Sequence, residues 1–133
     1  MKRILVTGAS GFIGNSLCKT LAIKNKLVNA VIRNTSKVKK LKNVKYISVS
    51  EINYETNWKD LLSSIDCIVH CAGKAHIAKK NIKINESTYR SINTEGTIRL
   101  ANEAAKAGVK RIIFLSSIKV NGEKTIELVK NEF

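Results

Sequence analysis

A chain of 133 residues suits one domain with one core, and it is short for an enzyme with separate cofactor and substrate regions. Its 44% hydrophobic content excludes a disordered chain, and no apolar run approaches the roughly 18 residues of a membrane span. The formal charge of +14 admits a nucleic-acid or acidic-surface partner, but the basic residues are scattered, and their one cluster (Lys37, Lys39, Lys40, Lys42 and Lys45) lacks the alternating aromatics of a stacking platform, so nucleic acid is not the expected partner.

Chain order begins with a short apolar run, Lys2 to Thr7, read as a buried first strand. Phe12, Ile13, Leu17 and Leu21 then recur at helical spacing, which predicts a first helix to about Lys24. Leu27 to Ile32 is a second strand, and Asn34-Thr35-Ser36 begins a polar connection. In a third strand, Val44 to Val49, the residues Val44, Tyr46 and Ser48 alternate with Lys45, Ile47 and Val49. Asn57 is placed to cap a short helix carrying Trp58, Leu61 and Leu62. Asp66 opens a fourth strand, Cys67 to His70, which ends in Ala72-Gly73. Lys74 to Ile84 is basic and patternless, an expected exposed connection. A long helix is predicted from about Glu86 to Ala107, with Tyr89, Ile92, Gly96, Leu100 and Ala104 as its inner stripe and Gly108 as its stop. Arg111 to Leu115 is a fifth strand, whose continuous apolar run fits a sheet covered on both faces. Ile118 to Phe133 carries a weak helical pattern.

Strands alternating with helices imply parallel pairing through right-handed crossovers. The expected fold is α/β, a doubly wound Rossmann-type sheet of order 3-2-1-4-5, with a ligand crevice at the carboxyl ends of strands 1 and 4. The segment Val6-Thr7-Gly8-Ala9-Ser10-Gly11-Phe12-Ile13-Gly14 sits at the first of those ends. Its three glycines permit a sharp strand-to-helix turn and a close approach of backbone to a pyrophosphate. The N–H groups and the positive dipole end of the following helix then hold the anion.

Three cysteines, Cys18, Cys67 and Cys71, form neither an even disulfide set nor a Cys-x-x-Cys pair, so they are expected to be buried small apolar residues. His70 lies in an apolar strand and His76 in a basic loop, and no third ligand is spaced for zinc, so no metal site is expected. The N-terminus opens directly into the strand and its glycine loop, which leaves no room for a signal peptide; a cytoplasmic chain is expected.

Taken together, the motifs resemble, in order, the N-terminal part of the extended short-chain dehydrogenase/reductases, and within them the NAD-dependent epimerase/dehydratase family. Residues 6–14 resemble its phosphate loop, Asp66-Cys67-Ile68-Val69-His70-Cys71-Ala72-Gly73 its fourth strand, and Asn93-Thr94-Glu95-Gly96-Thr97 a segment of its long helix. Gly108 to Ser117 resembles its fifth strand, and Ser117 to Glu123 is similar to the UDP-glucose 4-epimerase-like members. The resemblance implies a dinucleotide cofactor, with Gly8, Gly11 and Gly14 and the N–H groups of Phe12 and Ile13 at the pyrophosphate. It implies Glu51 and Ile52 beside the adenine, Ala72 and Gly73 on the nicotinamide side, and Asn93 in support; Lys74 is either near the ribose or a surface lysine. Where folds that prefer NAD place an acid for the ribose 2′-hydroxyl, this chain has Arg33. Arg33 is either a partner for the 2′-phosphate of NADP or a solvated loop residue, so both NAD and NADP are retained. Ser117 matches the serine that hydrogen-bonds the sugar hydroxyl being oxidised, and the implied substrate is a UDP-sugar.

One part of the pattern is missing. The family's Tyr-x-x-x-Lys places a tyrosine and a pKa-lowering lysine on one helix face. The residues four beyond Tyr46, Tyr54 and Tyr89 are Ser50, Trp58 and Asn93, none of them lysine. The expectation is that residues 1–133 are the NAD(P)-binding fragment of a nucleotide-sugar epimerase/dehydratase-like protein, truncated after about strand 5, without the substrate region and without turnover alone. A small dinucleotide-binding regulatory or interaction module is the alternative. An exposed fifth strand at the sheet edge predicts self-association.

Overall fold

The Leu5–Val6 pair shows how the sheet is built. Successive side chains of a strand leave on opposite faces, and both of these are fully buried, so the strand must be covered on both sides. The computed structural model describes residues 2–34, 38–74 and 86–118, and in it β1 (Arg3–Thr7) is the central strand of a five-stranded parallel sheet. The order is β3 (Val44–Ser48), β2 (Leu27–Ile32), β1, β4 (Cys67–His70), β5 (Arg111–Phe114), as the alternation of elements predicts. β1 pairs with β2 from Arg3↔Leu27 to Val6↔Ala30 and with β4 from Ile4↔Cys67 to Thr7↔His70. Asp66 sets where β4 starts. Its backbone N–H donates to the Arg3 carbonyl, and its carboxylate accepts from the Arg3 N–H at 3.0 Å.

Two apolar clusters cover the sheet. One joins Leu5, Val31 and Ile68 to Trp58, Leu62, Ile65, Leu100 and Ala104. The other joins Val6, Val28, Ala30, Ile32 and Val69 to Ala9 and Cys18 of the opposite layer. Helix α1 (Phe12–Ile23) supplies that second layer. Its inner face is Gly14 and Cys18, with Leu17 and Leu21 half-buried against the cluster. Phe12 and Ile13 belong to the helix but not to its inner face, for they are 95% and 55% exposed. The reason is Gly14: with no side chain there, the helix start lies against the backbone of the glycine loop, and the two residues before it turn outward.

The expected Asn57-capped helix does not form; the segment is a series of turns. The Asn57 side-chain oxygen accepts from the Lys59 N–H at 3.1 Å, and the Asn53 oxygen accepts from the Glu55 N–H at 2.9 Å. These local bonds offer the backbone an alternative to the helix, and Ser64 closes the segment with φ 65°. Trp58 and Leu62 still reach the core, at 0% and 1% exposure.

The predicted long helix is present in three pieces: α2 (Glu86–Tyr89), a π-helical stretch over Arg90–Glu95, and α3 (Gly96–Lys106). The Gly96 N–H reaches the Ser91 carbonyl five residues back, and this wider turn separates the pieces. The inner stripe is fully buried only at Gly96, Leu100 and Ala104, whereas Tyr89 and Ile92 are half-buried. Gly108, at φ 73°, ends α3 as expected.

β5 departs from the reading of a strand covered on both faces, since Ile112, Ile113 and Phe114 are 40%, 45% and 54% exposed. It lies at the edge of the sheet, where only its β4 side is paired among the described residues. Of the cysteines only Cys18 is fully buried; Cys67 and Cys71 are half-buried, because each lies at an end of β4 rather than in its middle. Burial and the nearby Cys71 push the Cys18 thiol up to about 11, so it is an unreactive thiol at neutral pH. The readings of Thr35-Ser36, Lys37, His76, the 75–84 connection and the 119–133 helical pattern lie outside the described residues. Among the described residues, no helix is long and apolar enough to cross a membrane.

Candidate functional site

At the carboxyl ends of β1, β2 and β4 the chain leaves the sheet and encloses a cleft of about 450 Å³. Its floor is the glycine turn, through Gly8, Ser10 and Gly11. One wall comes from the end of β2 and the segment after β3: Val31, Ile32, Arg33, Val49, Glu51 and Ile52. The other wall follows β4, as Cys71, Ala72, Gly73 and Lys74, with Ile92 of the π-helical stretch beside it.

The glycine turn is built by close backbone approach. Gly8 has φ 64°, and a Cβ there would lie 2.7 Å from the Ala72 nitrogen and 2.8 Å from the Cys71 carbonyl carbon. A Cβ on Gly14 would collide with the Gly8 carbonyl oxygen. The Gly11 N–H donates to that carbonyl at 2.9 Å, and Gly11 is the N-cap of α1. No side chain caps the helix, and its first turn carries no acid. The first amides of α1, including those of Phe12 and Ile13, therefore have no helical acceptor and stand at the positive end of the dipole. Charged groups in the cleft wall are Arg33 and Lys74 against Glu51, so the wall favours an anion.

The flanking loops are held by their own bonds. The Val49 N–H donates to the Ile32 carbonyl at 2.9 Å, and the Ser48 hydroxyl donates to the Arg33 carbonyl at 3.2 Å. The Thr56 hydroxyl donates to the Glu51 carbonyl at 3.1 Å and accepts from the Asn53 N–H at 2.9 Å, which knots the segment bearing Glu51 and Ile52. Asn93 grips the opposite wall from the π-helical stretch. Its side-chain oxygen accepts from the Lys74 N–H at 2.7 Å, and its amide donates to the Lys74 carbonyl at 2.9 Å.

Of the residues expected at the site, Gly8, Gly11, Arg33, Glu51, Ile52, Ala72, Gly73 and Lys74 line one cleft. Gly14 packs beneath it, and Asn93 braces it without lining it. Phe12 and Ile13 have exposed side chains and are not among the residues that line the cleft. Ser117 is exposed beyond the end of β5 and is not part of the cleft wall. Ser10, Val31, Ile32, Val49, Cys71 and Ile92 line the cleft without having been expected there. The signal for most of them was the general rule that such crevices form at strand carboxyl ends. A second, more open depression of about 500 Å³, along Ser48–Glu51 and Asn53–Leu61, has neither a glycine turn nor a helix N-terminus.

Comparison with known proteins agrees with this geometry. Residues 4–132 match the model of the NAD dependent epimerase/dehydratase family. A UDP-glucose 4-epimerase of Vibrio cholerae is 40% identical over 126 residues, which cover 94% of this chain and 38% of that protein. The chain thus spans well under half the length of this relative. A UDP-glucose 4-epimerase of Klebsiella pneumoniae is 31% identical over 133 residues, covering 92% of this chain and 94% of that protein. The solved structure of MoeE5 in complex with UDP-glucuronic acid and NAD is 28% identical, with a TM-score of 0.78 over 92% of this chain and 39% of MoeE5. With a Rossmann-type sheet of order 3-2-1-4-5, a glycine cradle under α1 and a match from residue 4 to 132, the chain belongs to the NAD dependent epimerase/dehydratase family.

Proposed function

We propose that the chain binds a nicotinamide adenine dinucleotide in the cleft and by itself does not turn over a sugar nucleotide. The observation that carries the reading is the cradle: Gly8 and Gly14 leave no room for a Cβ, and the strand-to-helix backbone comes close enough for a pyrophosphate to meet uncapped amides. Gly8, Gly11 and the amides of Phe12 and Ile13 would hold the pyrophosphate. Arg33, Glu51 and Ile52 would flank the adenosine, and Ala72, Gly73 and Lys74 would line the nicotinamide side, braced by Asn93. A bound nicotinamide would supply hydride acceptance and return. Ser117 would hydrogen-bond the hydroxyl of a UDP-sugar, the substrate class of the relatives named above. None of Tyr46, Tyr54 and Tyr89 is followed four residues on by a lysine, the spacing that puts a pKa-lowering lysine on the tyrosine's own helix face.

Isothermal titration of the chain with NAD and NADP is expected to show saturable binding, and no binding of either overturns the reading. Arg33 is exposed at the end of β2 and donates in the fork that suits a phosphate. Arg33→Asp is expected to lower NADP affinity about ten- to hundredfold while NAD changes little, the worth of one charge-assisted bond. An equal effect on both nucleotides would show that Arg33 does not read the 2′-phosphate.

The exposed side chains of Ile112, Ile113 and Phe114 on an edge strand carry a second expectation, association of two copies through β5. Light scattering on chromatographed protein should show mass rising with concentration, and Ile113→Lys should suppress the rise. A wild-type monomer at high concentration would refute it.

A further inference from the structure

His70 is only 2% exposed, yet both its ring nitrogens are engaged. Nδ1 lies 2.6 Å from the Thr7 hydroxyl and Nε2 lies 3.0 Å from the Thr97 hydroxyl. Counting protons gives the direction of each bond. The Thr97 hydroxyl sits 2.8 Å from the Asn93 carbonyl, which can only accept, so Thr97 spends its single proton there. Thr97 must then accept from His70, and Nε2 carries the hydrogen. The Thr7 hydroxyl accepts from the Ala72 N–H at 3.2 Å and has its own proton left for Nδ1. In the other neutral tautomer, Thr97 would turn its proton to Nε2, leaving its oxygen and the Asn93 carbonyl 2.8 Å apart with no proton between them. Burial also pushes the imidazole below its usual pKa, which agrees with a neutral ring. The Phe114 ring stacks on His70 with centroids 5.8 Å apart, which fixes the ring plane.

The two ends of this relay meet one loop. One end is the Ala72 N–H; the other is Asn93, whose side chain holds both the N–H and the carbonyl of Lys74. Residues 72–74 are a wall of the cleft. We propose that His70 is a positioning residue for dinucleotide binding, which holds the 72–74 wall at both ends through Thr7 and Thr97. The proposal rests on the cleft being the dinucleotide site, and part of its test needs no nucleotide.

The test uses the full chain. Glutamine can place an amide donor near the Nε2 position, whereas asparagine reaches only the Nδ1 position. In His70→Asn the Ala72 amide should stay protected from hydrogen exchange. The Lys74 amide should exchange about tenfold faster and the Kd for NAD should rise about tenfold, the worth of one hydrogen bond. His70→Gln should restore the Lys74 exchange rate and, lacking an acceptor for the Thr7 hydroxyl, recover the Kd only in part. Nitrogen-15 spectra of the wild type should show a protonated Nε2 and a bare Nδ1 at neutral pH. If His70→Asn does not fold, Thr97→Val and Thr97→Ser test the same arm: valine should loosen Lys74 and weaken NAD binding, and serine should not. Unchanged Lys74 exchange in His70→Asn or Thr97→Val, or a glutamine no better than asparagine, overturns the proposal. So does loosened Lys74 with an unchanged Kd. Absence of NAD binding by the wild type would overturn the dinucleotide reading instead, and would leave the exchange result to stand or fall alone.

Discussion

Gly8→Ala is expected to abolish saturable dinucleotide binding and to lower stability by about 2–4 kcal/mol, from the left-handed backbone and from overpacking together. The added Cβ would enter a site at φ 64° and press on Ala72 N at 2.7 Å and Ala72 Cα at 2.8 Å. These are backbone atoms just past β4, which is tied to β1 up to Thr7↔His70, so they cannot yield as a side-chain tip would. Relief must come from opening the glycine turn or pushing out the 72–74 wall, and each spoils the cradle. Urea unfolding and calorimetric titration on the same protein check the two effects. A variant with wild-type affinity would show that the turn does not hold the ligand.

Trp58→Ala is expected to lower stability by about 3–5 kcal/mol, the cost of a large cavity. That is a large share of the roughly 5–15 kcal/mol of a domain. Trp58 is fully buried among Leu5, Leu62, Ile65, Ile68 and Leu100, on the face of the sheet that α3 covers. Its indole N–H has no acceptor among the described residues. Trp58→Phe keeps most of the apolar contact and removes that donor, whose unpaired burial costs about 1–3 kcal/mol. The phenylalanine variant should therefore stay within about 1 kcal/mol of wild type, because the lost donor offsets the smaller ring. A loss well above about 1 kcal/mol in Trp58→Phe, measured by denaturant unfolding at matched slope, would mean that the indole nitrogen does have a partner.

Much of the fold was legible because its signals are local. Leu27–Ile32 and Cys67–His70 are short apolar runs that became strands with the bounds their pattern predicts. Gly108 stops α3 at a positive φ because glycine takes that conformation without strain. The errors share a cause. Asn57 looks like a cap, but Asn53, Thr56 and Asn57 bond their own backbone and turn the chain instead. Phe12 and Ile13 keep the helical period yet face outward, since the approach of Gly14 to Gly8 sets the rotation of α1. The π-helical stretch leaves no apolar signature, although it carries Asn93 to Lys74.

By itself, the sequence determined the alternation of strands and helices, the order of the sheet and the position of the glycine turn. Each depends on residue chemistry over a few neighbouring positions, where glycine, apolar spacing and dipole direction act directly. Only the tertiary structure decided which residues share the cleft and which groups His70 bonds. Its two hydroxyl partners lie 63 and 27 residues away, and no local pattern encodes them. A hydrogen bond is made or lost within a few tenths of an ångström, and that precision is set only once β1, β4 and α3 have packed.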